Sequence, residues 1–500
     1  MTQVAILGFD GMDADLLRVY GPALPHLRRL MLESPFLELT SSIPPDTIPA
    51  WGSLYTGLNP ANHGLLSFLP CDSEPGSHDG VQAEPPALTC GTTFWDLASA
   101  SGRRICVLNP YLAYPAWPVN GIMLALSPRD GSMSITPEEY ELSLTFPPPP
   151  RLAGRAARAH REELRAFYHE LVSCTLQQAA LGLELLQQES WDLFFLQINT
   201  LDIIQHLFWH YSDLSDPAYP GQSEHLTRIQ SFYRLCDHIV GEVRAALPAE
   251  SVLMVVSAYG HGRRSHQRVN LNEWLRRQGL LTVQARSLHL LDRPFSPRPR
   301  RRPVSDELLA HVGLIARERQ ASTRSESGLI DEEHSLARVL SLGGDGPFGG
   351  VVLNRQRIQE QGRDYEALRV SLQEEMLRLR SRGRPLLRWV RKREEVYQGR
   401  YLERLPDLLF ELQGDLAIGD ELYVPLLTTQ TARRTISGVH RKDGVFLIGN
   451  LLHHEPEVSD VHEITVMDVA PTVLRLLGIN NVVRFDGQPL LALKAAEPLP

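Results

Sequence analysis

Short apolar runs that stop abruptly at polar residues constrain this chain more than any other feature. VAILGF (4–9) ends at Asp10-Gly11, DLFFLQIN (192–199) runs into Thr200, and LMVVSA (253–258) turns through Tyr259-Gly260-His261-Gly262. Runs of this length without polar alternation are buried on both faces, as in a parallel sheet. Between them lie stretches with apolar residues at helical spacing. One places Leu164, Phe167, Leu171, Leu176, Ala180 and Leu183 on one face; another uses Ile229, Phe232, Cys236, Val240, Val243 and Leu247. Strands alternating with amphipathic helices predict an α/β fold with a largely parallel sheet.

Later strands are expected at GGVVLN, LPDLLFEL and DGVFLIGN, a charged helix over 365–382, and a closing helix from Asp468 to Gly478. RPFSPRPRRRP (293–303) reads as an exposed Pro/Arg-rich loop, and 304–345 is polar and poorly patterned. The 500 residues suit one large α/β domain with a sizeable insertion.

A formal net charge of −9 argues against nucleic acid as the main partner. The five cysteines, 71, 90, 106, 174 and 236, are scattered and lack C-x-x-C spacing, so neither a disulfide framework nor a zinc knot is expected. No basic region precedes the first apolar run, and no stretch nears the ~20 apolar residues of a membrane span. The expectation is a cytoplasmic soluble protein without a membrane partner.

Four segments place polar residues at strand ends. Asp10 follows VAILGF, where it suits a metal or phosphate site, a turn or a helix cap. Thr47 stands at or just before the start of the short helix in PPDTIPAWGSLYTG, where the helix dipole favours an anion; its hydroxyl could cap the helix or attack phosphorus. In LDIIQH, Asp202 and His206 are four apart and share a helix face, a spacing that fits one divalent metal or a surface ion pair. His440 lies just upstream of DGVFLIGN and matters as a third ligand to that metal.

In this order, GFDGMD, PPDTIPAWGSLYTGLNPANHG, LDIIQH, VNLNEWLRRQGLL, GVHRKDG and DVAPTVLRLLG resemble the alkaline phosphatase superfamily, closest to its type I phosphodiesterase/nucleotide pyrophosphatase-like branch. FYRLCDHIV and FDGQPLL add to the likeness. The resemblance implies a three-layer α/β sandwich with a mostly parallel central sheet. Residues 1–262 and 436–500 would form the core, and 263–435 a smaller inserted subdomain. It also implies a two-metal site. Asp202, His206 and His440 would hold one ion, Asp10 and Thr47 the other, with Thr47 as nucleophile through a phosphothreonine. Zinc is the expected metal and manganese the alternative.

One segment departs from the family. Its strand would end Ser-Asp-His-Gly; here it ends Ser257-Ala258-Tyr259-Gly260, so two second-site ligand positions, Ala258 and Tyr259, are lost. One ion is therefore expected and the second is in question. Three readings follow: a phosphoric-ester hydrolase with one well-held metal, or with a second ion on substitutes such as His261, Asp46 or Asp13; a non-catalytic relative binding a phosphorylated ligand or a protein partner; or a protein in which Tyr259 and His261 serve an altered chemistry such as phosphomutase-type transfer. The simplest reading of His261 is a solvated loop residue.

Overall fold

The computed structural model describes residues 3–66, 89–128, 130–151, 161–284, 329–343, 346–430, 436–451, 454–456, 463–480 and 485–493. Its centre is an eight-stranded sheet in the order Glu38–Thr40, Asp443–Gly449, Val252–Ser257, Val4–Phe9, Leu193–Ile198, Ile105–Leu108, Gly121–Leu126 and Met133–Thr136. The five strands from Val252–Ser257 to Gly121–Leu126 are mutually parallel, and the flanking pairings are antiparallel. The sheet is thus the mostly parallel one expected, with helices on both faces.

The first strand shows why. Every residue from Val4 to Phe9 is buried. Ala5, Leu7 and Phe9 enter one apolar core with helices Arg161–Gln188, Thr200–Ser212 and Arg228–Ala246. Val4 and Ile6 point the other way, into a second core with helices Thr47–Thr56, Phe94–Ala100 and Val469–Leu476. Side chains alternate across a strand, so an all-apolar run must be covered twice.

A four-stranded antiparallel sheet stands apart from this one, in the order Ala337–Ser341, Phe348–Leu353, Leu408–Leu412 and Leu387–Lys392. It has its own core, including Val269, Leu271, Val351, Leu372, Met376 and Phe410. Ala337–Ser341 falls in the segment expected to be poorly patterned; its five residues alternate too briefly to stand out. The Pro/Arg-rich stretch 293–303 lies outside the described residues. Among the described residues no helix is long and apolar enough to cross a membrane.

Two of the sequence motifs are joined by one carboxylate. Asp486 of FDGQPLL accepts from the Asn59 backbone N–H at 2.8 Å and from the Asn62 side chain at 2.7 Å. Asp486→Ala is expected to cost about 1–2 kcal/mol, because it strands these donors; a urea titration with an unchanged midpoint would contradict this. His63 of the same motif is a strut. It is buried, its Nε2 lies 2.9 Å from Ser53 Oγ, and its Nδ1 accepts the Leu65 N–H at 3.0 Å. Burial pushes its pKa down to about 3. The unfolded chain therefore takes up a proton near pH 6.5 that the native imidazole refuses. This group should remove about 1.4 kcal/mol of stability per pH unit as pH falls from about 6.5. Unfolding of wild type and His63→Gln at pH 7 and pH 5 checks this: the variant's stability should depend less on pH.

Candidate metal centre

The carboxyl ends of the parallel strands converge on one buried site, the usual place for ligands in open α/β sheets. Strand Val4–Phe9 delivers Asp10, and Leu193–Ile198 leads into the helix carrying Asp202 and His206. Val252–Ser257 leads through Ala258 and Tyr259 to His261, and the short strand Gly438–Arg441 supplies His440. All of these residues are buried.

Asp202, His206, His261 and His440 each offer one donor atom, and the four atoms lie within 4.8 Å of one another. His206 Nε2 is 3.1 Å from His440 Nε2 and 3.3 Å from Asp202 Oδ2. His440 Nε2 is 3.1 Å from Asp202 Oδ1, and His261 Nδ1 is 3.4 Å from the same oxygen. Donors bound to one four-coordinate ion at about 2.0–2.1 Å sit roughly 3.3 Å apart.

The proton count makes the same point. His206 Nδ1 lies 2.8 Å from the Gly438 carbonyl, and His440 Nδ1 lies 3.1 Å from that of Pro45. A carbonyl only accepts, so both Nδ1 atoms carry a proton, and the two Nε2 atoms are left directed at each other and at Asp202. An ion among these atoms would take both Nε2 positions as ligands, and a carbonyl behind each imidazole is the usual outer support of a metal-ligating histidine. Burial works to raise Asp202, but His206 and His440 outweigh it and hold the carboxyl well below its ordinary range. Burial, then His206, drives His261 well below the usual imidazole value, so it stands neutral and able to ligate.

Thr47 and Asp10 lie beside this cluster. Thr47 opens helix Thr47–Thr56, but the cap is Asp46, whose carboxylate accepts the Thr47 N–H at 2.8 Å. The Thr47 hydroxyl is thereby left for another partner, Tyr259 Oη at 2.8 Å. The Tyr259 ring stacks on His440 with centroids 4.1 Å apart, joining the threonine to the histidine cluster. Asp10 stands in the turn that follows its strand, and its side chain caps no helix but faces the site. Trp51 Nε1 donates to its Oδ1 at 2.7 Å and Tyr111 O–H to its Oδ2 at 2.6 Å, and Tyr259 also hydrogen-bonds to it. Burial, reinforced by the Asp202 charge, pushes Asp10 up to about 7, against these three donors.

The family profile of the type I phosphodiesterases/nucleotide pyrophosphatases matches residues 4–423. The chain belongs to this family. Its members are metal-dependent phosphoester hydrolases. Among solved structures, phosphonoacetate hydrolase from Sinorhizobium meliloti in complex with phosphonoacetate shares 14% identity and a TM-score of 0.56, covering 96% of this chain and 95% of that one. Human ectonucleotide pyrophosphatase/phosphodiesterase 5 shares 14% identity and a TM-score of 0.51, covering 97% of each chain. At such identities the likeness is one of fold. No curated protein matches the chain.

Of the residues the resemblance assigns to two ions, Asp202, His206 and His440, those expected of the first, are brought together. At the positions where the resemblance expects an Asp-His pair, Ala258 presents a methyl group and Tyr259 a neutral phenol, since burial raises the Tyr259 pKa well above its ordinary value. The proposed substitutes are otherwise engaged. Asp46 caps the threonine helix. Asp13 caps helix Ala14–Tyr20 and accepts the His261 backbone N–H at 3.2 Å. His261 is not solvated: it is 2% exposed and lies with the first-ion residues. Trp51 and Tyr111 had not been singled out as site residues. Trp51 follows Thr47 by four on one helix face, which was a usable signal; Tyr111 arrives through a loop after Ile105–Leu108, and nothing local marks it.

Proposed function

We propose that this protein hydrolyses a small phosphoric ester with Thr47 as nucleophile and one divalent ion, zinc before manganese, held by Asp202, His206 and His440. The observation carrying the reading is that Thr47, at a helix N-terminus, touches the tyrosine stacked on the histidine cluster. The helix end favours the phosphoryl group's negative charge. A bound divalent ion would supply positive charge close to the nucleophile, stabilising the charge that develops on the phosphoryl group. Thr47 Oγ1 forms the new bond to phosphorus as the bond to the leaving oxygen breaks. Its proton passes to Tyr259 Oη while Tyr259 gives its own to Asp10. The leaving oxygen departs with the bonding pair and takes a proton from solvent; water then attacks phosphorus and displaces Thr47 Oγ1, which regains its proton from Asp10 through Tyr259 while the attacking water's proton goes to solvent. Residues 263–435, as an inserted subdomain, would set the choice of leaving group.

The second reading is a ligand-binding relative without turnover. It draws on the 5% exposure of Thr47 and on Tyr259 standing where the family has a metal ligand. The deciding experiment supplies the purified protein with zinc or manganese and aryl phosphomonoester and phosphodiester substrates, then searches acid-quenched protein for phosphate on Thr47. Turnover with a trapped phosphothreonine is expected; neither signal would leave the binding reading in possession.

A further inference from the structure

We infer that this protein holds a single ion in a shell of four protein donors, with His261 as the fourth, and that the Tyr259 hydroxyl closes the position a second ion would take. The inference rests on the metal-binding reading of the cluster and not on turnover.

Register carries the first half. Strands Gly260–Arg263 and Gly438–Arg441 pair antiparallel with His261 directly opposite His440. Opposed residues of an antiparallel pair project from the same face, so a histidine at 261 must share the side of the ribbon that His440 uses. The neighbouring glycines allow this approach. A Cβ on Gly260 would meet the Asp443 carbonyl oxygen at 2.2 Å, and one on Gly262 would meet Arg441 Nε at 2.3 Å. Gly438 has the same role against helix Thr200–Ser212, where a Cβ would sit 2.4 Å from the Gln205 carbonyl oxygen. Only the histidine of Gly260-His261-Gly262 therefore carries a side chain, and it is buried with neither ring nitrogen hydrogen-bonded. An imidazole taken out of water without a partner is costly. Its Nδ1 faces Asp202 Oδ1 at 3.4 Å, inside the donor cluster, and a metal bond would satisfy it.

The second half rests on what surrounds Asp10. A second ion would need the Asp10 carboxylate and the Thr47 oxygen free to face it. Asp10 already accepts from Trp51, Tyr111 and Tyr259, and Thr47 is bonded to Tyr259. Tyr259 is fully buried, so its hydroxyl is fixed between the two groups. The two changes are complementary: the histidine missing from the usual position stands two residues later, in the other ion's shell.

The test reads metal, not rate. Wild-type protein dialysed against zinc should carry one ion per chain by elemental analysis. Its cobalt(II) form should show the intense visible bands of a four-coordinate ion. His261→Gln should weaken zinc affinity by about 100-fold, at or beyond the upper end of what loss of a supporting group costs. The double variant Ala258→Asp/Tyr259→His should carry two ions. Two ions in the wild type, a weak six-coordinate cobalt spectrum, unchanged affinity in His261→Gln, or one ion in the double variant would each overturn the assignment. The cobalt spectrum needs no variant and stands even if His261→Gln misfolds. A one-ion protein without turnover would refute the hydrolase reading and leave this one intact.

Discussion

Thr47→Ala is expected to lower phosphoester turnover by about 10³-fold or more while leaving metal content and melting temperature near the wild type, since loss of a nucleophile removes the covalent route and not merely a contact. The structural cost should be small. Thr47 is the first residue of its helix, the cap is Asp46, and the Thr47 backbone N–H keeps its partner. What goes is one hydroxyl, bonded to Tyr259. Thr47→Ser restores an oxygen at that place and should recover a substantial part of the rate. Turnover in Thr47→Ala equal to wild type would exclude threonine as nucleophile. Tyr259→Phe separates the parts further. It breaks the link between Thr47 and Asp10 without altering the histidine donors, so it should lower the maximal rate and leave the ion at the histidine cluster bound as tightly as in the wild type.

Stripping the ion with a chelator is expected to have the second large effect, on stability. An ion that binds only the folded chain stabilises it by about 4 kcal/mol when its free concentration is a thousandfold above its dissociation constant. Here the loss has a local cause as well. An ion would tie together His206 Nε2 and His440 Nε2, 3.1 Å apart, and the buried Asp202 carboxylate beside them, and its removal leaves that buried polar cluster without its common partner. The melting temperature should fall on chelation and return with added zinc. Asp202→Ala should melt at one temperature with or without chelator. A wild type indifferent to chelator would show that the cluster holds no ion that matters to the fold.

Much of the architecture was open to reading in the linear chain. Val4–Phe9, Leu193–Ile198 and Val252–Ser257 announce themselves because a doubly covered strand must be apolar throughout. The long helices appear through their 3.6-residue spacing. The ordered motifs pointed to the family that the profile match assigns. Asp202 and His206 could be paired on paper because four residues make one helical turn.

The remainder depended on contacts between distant segments. Local sequence permitted a solvated His261 between two glycines; the pairing with Gly438–Arg441 turns it inward beside His440. Sequence offered Tyr259 as a lost ligand position or as a group for altered chemistry and could not place its hydroxyl, because its bonds to Thr47 and Asp10 join residues more than two hundred positions apart. Tyr111 and Trp51 reach Asp10 the same way, across 101 and 41 positions. Sequence determined which strands and helices form, since burial pattern is a local property. Which donors share one centre was decided by strand order and register, which bring the ends of separate strands within a few ångströms.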